Sequence, residues 1–166
     1  MRVEELFNAL RARDVAQASK LLSEGVDVNA QTSIGEGVWS FVIPEGREAV
    51  KLALNCGADP NSIDAAGRNA LYWAIMADES DVIKMLLDHG ANVEYSTSLG
   101  YGLLHDAASW GKSQALVALL PIVTDQMLLA EDVEGLTPLQ EALRGKFTTC
   151  AEAVRDEMRR RGLHEK

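Results

Sequence analysis

A chain of 166 residues, 47% hydrophobic and 25% charged, carries enough apolar material for one folded domain and too much for a disordered one. Its net charge of −9, with −11 on residues 1–154 and +2 on residues 155–166, repels phosphate backbones, so nucleic acid is not an expected partner. The longest apolar runs, such as 115–120, fall far short of a membrane span, and the acidic start Met1-Arg2-Val3-Glu4-Glu5-Leu6 lacks the layout of a signal peptide, so the expectation is no membrane and a cytoplasmic location.

The first predicted element is a helix over Glu4–Arg13, whose polar side (Glu4, Glu5, Asn8, Arg11) suits the end cap of a stack. The segment 21–30, Leu-Leu-Ser-Glu-Gly-Val-Asp-Val-Asn-Ala, then closes a repeat and returns in kind at 53–62 and 86–95. The closing glycines Gly25, Gly57 and Gly90 lie 32 and 33 residues apart, and the opening glycines Gly35, Gly67, Gly100 and Gly135 are spaced 32, 33 and 35. A fixed period of this size means stacked supersecondary units, each unable to bury its apolar face alone.

In the second repeat (32–63) the stretch Gly37–Ile43 runs into Pro44 and Gly46, so its opening helix is at most a turn or two; β-branched and aromatic content leaves an extended stretch as the alternative. The third (64–96) is the most regular. It has a turn at Asp64–Gly67 and a helix over Asn69–Ala77 packing through Leu71, Ala74 and Ile75. A polar break at Asp78–Asp81 supplies an N-cap, and a second helix packs through Val82, Ile83, Leu86 and Leu87 and stops at Gly90. The fourth (97–131) loses the closing Gly-Ala-Asp. Residues 120–129 stand there instead and either pack as an extra helical turn, the favoured reading, or expose apolar surface. The fifth (132–166) ends in an amphipathic helix, Cys150–Arg161, with Ala151, Val154 and Met158 inward and Arg159-Arg160-Arg161 set against the helix dipole.

These segments resemble the ankyrin repeat, Gly-x-Thr-Pro-Leu-His-x-Ala followed by a second helix ending Leu-Leu-x-x-Gly-Ala-x-Val-Asn. The matching residues are Gly67, Leu71 and Ala74; Gly100, Leu104, His105, Ala107, Ala108 and Gly111; and Gly135-Leu136-Thr137-Pro138-Leu139 with Ala142. The resemblance implies an all-α solenoid of helix-turn-helix units with β-turn or hairpin connections, a single domain over 1–166 of five units counting an N-cap (1–31) and a C-cap (132–166). It also implies a protein-binding concave face made from turn tips and the exposed sides of the first helices. Carried onto this chain, that face comprises Ser33, Ile34, Glu36, Arg68, Met76, Leu99, Tyr101, Ser109, Trp110, Glu134, Leu136 and Arg144. Trp110 either packs over an adjacent repeat or faces a partner; Trp39 falls at a buried leucine position; His105 occupies a position that ties neighbouring turns together.

Chemistry is sparse. Cys56 and Cys150 are too few and too far apart for a disulfide framework or zinc site, and no paired-histidine, phosphate-loop or nucleophile-elbow spacing occurs, so neither a metal nor a cofactor is expected. The expectation is a non-enzymatic module, monomeric when free, that binds another protein, with the acidic body favouring a basic partner surface. A stand-alone inhibitor, such as an immunity protein neutralising a toxin, is the alternative within the same class. Two other classes are an enzyme using Glu36 or Glu134, and a self-assembler using 120–129.

Overall fold

The computed structural model describes residues 2–95 and 101–164. Regular structure among them is helical, with eleven α-helices, one 3-10 turn and no strand. The chain divides into two compact units, residues 1–73 with 84–92, and residues 74–83 with 93–166.

The first unit holds α1 (Arg2–Arg11), α2 (Val15–Ser23), α3 (Val38–Val42), a 3-10 turn (Ile43–Glu45) and α4 (Arg47–Asn55), with the start of α5 (Ala70–Ala77) and the end of α6 (Ser80–Asp88). Leu6, Phe7, Ala9 and Leu10 recur on one side of α1 and are buried. Asp14 caps α2, its carboxylate accepting from Gln17 N at 3.0 Å. The helical alternative holds in the second repeat: α3 has five residues and passes into a 3-10 turn with Pro44 near its start, where the ring tolerates a missing N–H. Trp39 is core, its Nε1 donating to Asp59 O at 3.1 Å, and Phe41 packs on Phe7 with ring centroids 5.2 Å apart.

The closing asparagines explain why their motif repeats. Asn29 Nδ2 donates to Gly57 O (3.1 Å) while its Oδ1 accepts from Asp59 N (2.7 Å). Asn61 does the same one repeat later, to Gly90 O (2.9 Å) and from Asn92 N (2.8 Å). Each amide thus satisfies one donor and one acceptor of the next closing segment, backbone groups that neither helix can reach. At the opposite end of the repeat, Gly35 is required twice. Its φ is +81°, and a β-carbon there would lie 2.4 Å from Ala65 Cβ, whose own N–H donates to Gly35 O at 2.8 Å.

The second unit holds α7 (Leu103–Ser109), α8 (Ser113–Leu119), α9 (Asp125–Leu129), α10 (Pro138–Arg144) and α11 (Thr148–Arg160), with α10 packed on both α7 and α11. Segment 120–129 packs: Leu120, Val123 and Leu128 are buried, and Thr124 caps α9 through Met127 N. Arg161 fixes it in place. Its guanidinium donates to Leu120 O (2.7 Å) and Val123 O (2.8 Å), pairs with Asp125 (3.0 Å), and is held by buried Glu157 (2.6 Å). That arginine therefore serves the carbonyl end of α8 rather than only the dipole of its own helix.

Within the polar break, Asp78 sits at φ 59° and its Oδ1 accepts from Ala115 N at 2.8 Å, so it caps α8. One sequence expectation is corrected. On α6, Met85 joins Val82, Ile83 and Leu86 in the core, and Leu87 is only half-buried, because the helix face centres one residue earlier than the Leu-Leu pair implies.

Candidate protein-interaction site

The turn tips are built on one plan. In each of the second, third and fifth repeats, the first tip residue pairs with the fifth (Thr32 N to Glu36 O, Asp64 N to Arg68 O, Asp132 N to Leu136 O), and its side chain accepts from the tip's own N–H groups. Asp64 Oδ1 takes Ala66 N and Arg68 N, while Oδ2 takes Arg68 Nε at 2.8 Å. Asp132 Oδ1 takes Glu134 N (2.8 Å) and Leu136 N (3.0 Å), but the arginine position is now Leu136, and buried Asp132 Oδ2 receives no N–H. The tip backbones are thus paired within themselves, which leaves a side chain such as that of Ile34 outside the pairing.

In the second compact unit those outward groups converge. The Glu141 carboxylate on α10, 2% exposed, accepts from Arg144 Nη2 at 2.7 Å and lies 3.5 Å from the Tyr101 hydroxyl. Arg144 Nη1 reaches Glu134 Oε2 at the tip, 2.5 Å away. Tyr101 stands edge-on to His105, centroids 5.9 Å apart, and His105 Nε2 lies 3.1 Å from Leu136 O in the following tip. This is the turn-tying role expected of it.

Burial sets the electrostatics. It pushes Glu141 upward, and facing Asp132 adds to this against the pull of Arg144. Burial also opposes ionisation of Asp132, but the N–H groups of Leu136 and Glu134 prevail and hold it below the ordinary carboxylate value. Burial lowers His105 and raises Tyr101. Asp106, on α7, is 7% exposed with Oδ2 unpartnered, and burial pushes it to about 7.

The second unit also exposes large apolar side chains. Trp110, at the end of α7, is 58% exposed. The neighbouring Gly111 (φ +64°) and Gly145 clasp the Phe147 ring so closely that a β-carbon on either would fall 2.4 Å from it. Phe147 thus packs against the glycine that follows Trp110 in the chain.

The remaining predicted residues fall as follows. In the first unit Ser33 is exposed, bonded through Oγ to Glu4 (3.1 Å), Ile34 is 77% exposed, and Glu36 and Arg68 are half-buried. In the second unit Met76, Ser109 and Leu136 are half-buried, and Glu134 and Arg144 are exposed. Leu99 lies outside the described residues. Trp73 went unremarked in the sequence: Arg68's guanidinium stacks on its ring at 4.4 Å and sits 6.0 Å from that of Tyr72, tying the third tip to the exposed side of α5. Glu141, Asp106 and Phe147 were also missed. All three are set by contacts across the repeat interface, though Glu141 and Asp106 occupy the same repeat position, one after the Thr-Pro-Leu-His register, and that recurrence was there to read. Among the described residues no cluster of His, Cys, Asp and Glu has the geometry of a metal site, and no helix is long and apolar enough to cross a membrane.

These repeats match the family model for ankyrin repeats (3 copies) over residues 6–98 and 39–127. The chain belongs to the ankyrin repeat family. It is 32% identical over 130 residues to an ankyrin repeat protein of Fowlpox virus (strain NVSL), covering 74% of this chain and 38% of that protein. It is 33% identical over 151 residues to the B-cell lymphoma 3 protein homolog of Mus musculus, covering 81% of this chain and 32% of that protein. It is 29% identical over 133 residues to the mitochondrial disaggregase of Bos taurus, covering 58% of this chain and 20% of that protein. The chain thus spans well under half the length of these relatives, and what it shares with them is the repeat, a general protein–protein interaction module.

Proposed function

We propose that residues 1–166 act as one ankyrin-repeat domain that docks another protein through its turn tips and the exposed sides of its first helices, without catalysing a reaction. The observation that carries this reading is a division of labour within each repeat. Among the described residues, the apolar ones that match the family pattern, such as Leu71, Ala74, Leu104, Ala107, Leu139 and Ala142, are buried, whereas Ile34 and Trp110 are exposed at 77% and 58%. Large apolar and aromatic side chains left over in this way are the usual anchors of interfaces. The candidates Tyr101, Trp110, Glu134, Leu136 and Arg144 all lie in the second unit, with Tyr101, Glu134 and Arg144 linked through Glu141 and Trp110 at the end of α7. With a net charge of −9, association with a basic partner surface would be steered by the field of the whole chain.

The test is substitution. Trp110→Ala and Tyr101→Ala should each weaken partner affinity about 10-fold or more, since ~1.4 kcal/mol is a factor of ten, while Trp110→Ala leaves the thermal midpoint nearly unchanged. A Trp110→Ala protein that binds with undiminished affinity would place the site elsewhere.

A further inference from the structure

Asp64 and Asp132 hold the same place in their tips, yet their second carboxylate oxygens meet opposite chemistry. Asp64 Oδ2 is paired with the guanidinium of Arg68. In the fifth repeat Leu136 replaces that arginine, and what faces buried Asp132 is the carboxyl of Glu141, 98% removed from solvent on α10 and within hydrogen-bonding reach. Two carboxylates in contact and out of water repel strongly, and two neutral acids would forfeit the N–H groups that favour the charged form of Asp132. One proton between them resolves both difficulties: Asp132, stabilised by the Glu134 and Leu136 N–H groups, is the acceptor, and Glu141 is the donor.

We infer that a proton shared by Asp132 and Glu141 latches the tip of the fifth repeat onto α10, and that its release to solvent as the pH rises loosens the Tyr101–Glu134–Arg144 surface. The latch stands on the free protein's geometry; only its consequence for a partner rests on the docking reading above.

The charged and titratable groups that act on the pair lie on α10, on the tip and on or just before α7. Arg144 lies on α10 itself and Glu134 on the tip. Tyr101 precedes α7, and His105 on α7 acts favourably on Asp132 through its charged form. Asp106, also on α7, shows no coupling to the pair, its own shift arising from burial alone. With the proton gone, two carboxylates (Glu134 and Glu141) share the guanidinium of Arg144 while Asp132 faces the newly charged Glu141. Because the folded-state value of Glu141 is raised, the stability it lends is complete below the ordinary glutamate value and disappears as the pH climbs through the raised one.

The experiment is a carbon-detected NMR titration of the Glu141 side chain in the full chain, together with amide exchange of residues 133–137 from about pH 5 to about pH 8, corrected for intrinsic rates. The expected result is a Glu141 midpoint above the ordinary glutamate value, with tip protection that falls across the same range. Glu141→Gln, whose amide donates to Asp132 at every pH, should keep the tip protected throughout. Asp132→Asn should return the Glu141 midpoint toward the ordinary value. A wild-type midpoint at or below the ordinary value overturns the proposal, as does tip protection that falls equally in Glu141→Gln; the wild-type titration decides even where a variant fails to fold. Neither readout involves a partner, so the latch can stand while Tyr101→Ala disproves the docking site, and the reverse.

Discussion

A buried acid without a counter-charge has a measurable thermodynamic signature, and Asp106 is such a group. Its carboxyl is 7% exposed, Oδ2 has no donor, and burial moves it from 3.8 to about 7. The folded-state value lies above the unfolded one, so its contribution to stability is complete below about 3.8 and is lost as the pH rises through about 7. Asp106→Asn should therefore stabilise the protein at about pH 8, on the order of 2 kcal/mol, and do little near pH 4. Denaturant unfolding at the two pH values checks this, and equal effects at both would refute it. His105 works with the opposite sign: its folded-state value is depressed from 6.5, so its contribution is present above that value and lost as the pH falls. Comparing variant with wild type at each pH isolates Asp106 from it. Little of this was legible in the sequence. An aspartate one place after the family histidine reads as an outward polar residue, and its burial follows from the packing of α7 against α10, which periodicity does not report. Trp39 was legible because it replaces a leucine whose position is fixed by the repeat.

Element boundaries divide along similar lines. Where the family pattern is clear, the expected helix over Asn69–Ala77 is α5 (Ala70–Ala77), and α10 (Pro138–Arg144) starts at the proline of Thr137-Pro138-Leu139 with a full capping box between Thr137 and Gln140. Where the pattern fails, the outcome depended on partners distant in sequence. Arg161, at the far end of α11, satisfies the carbonyls that decide how 120–125 folds, and nothing in the local sequence of 120–129 announces it. The second repeat keeps the shortest first helix, five residues of α3 and a 3-10 turn ended at Gly46 (φ +85°), so few of its amides are held by i to i−4 bonds. Opening in the stack should begin at residues 33–47, seen as faster hydrogen exchange there than at residues 70–90. Equal protection in the two segments would contradict this.

At the scale of the whole molecule, the period of the glycines gave the stacked units and the resemblance of the opening and closing motifs gave the family, because a repeat writes the same physical requirements several times: a left-handed turn, an apolar pair, and an asparagine stitched to the next closing segment. The partner is written only once, in side chains the fold does not need, and these carry no periodic signal. The side chains proposed for it are Trp110 and the exposed Glu134–Arg144 pair of the second unit, with Ile34 of the first. The most direct test places a photo-crosslinking phenylalanine analogue, one variant at a time, at Trp110, at Glu134, and at Lys51 on the outer helix α4 as a control, followed by irradiation in the native cell. The account predicts discrete protein adducts of the same mass at positions 110 and 134 and none at 51. Adducts at 51 with none at 110 or 134 would contradict it.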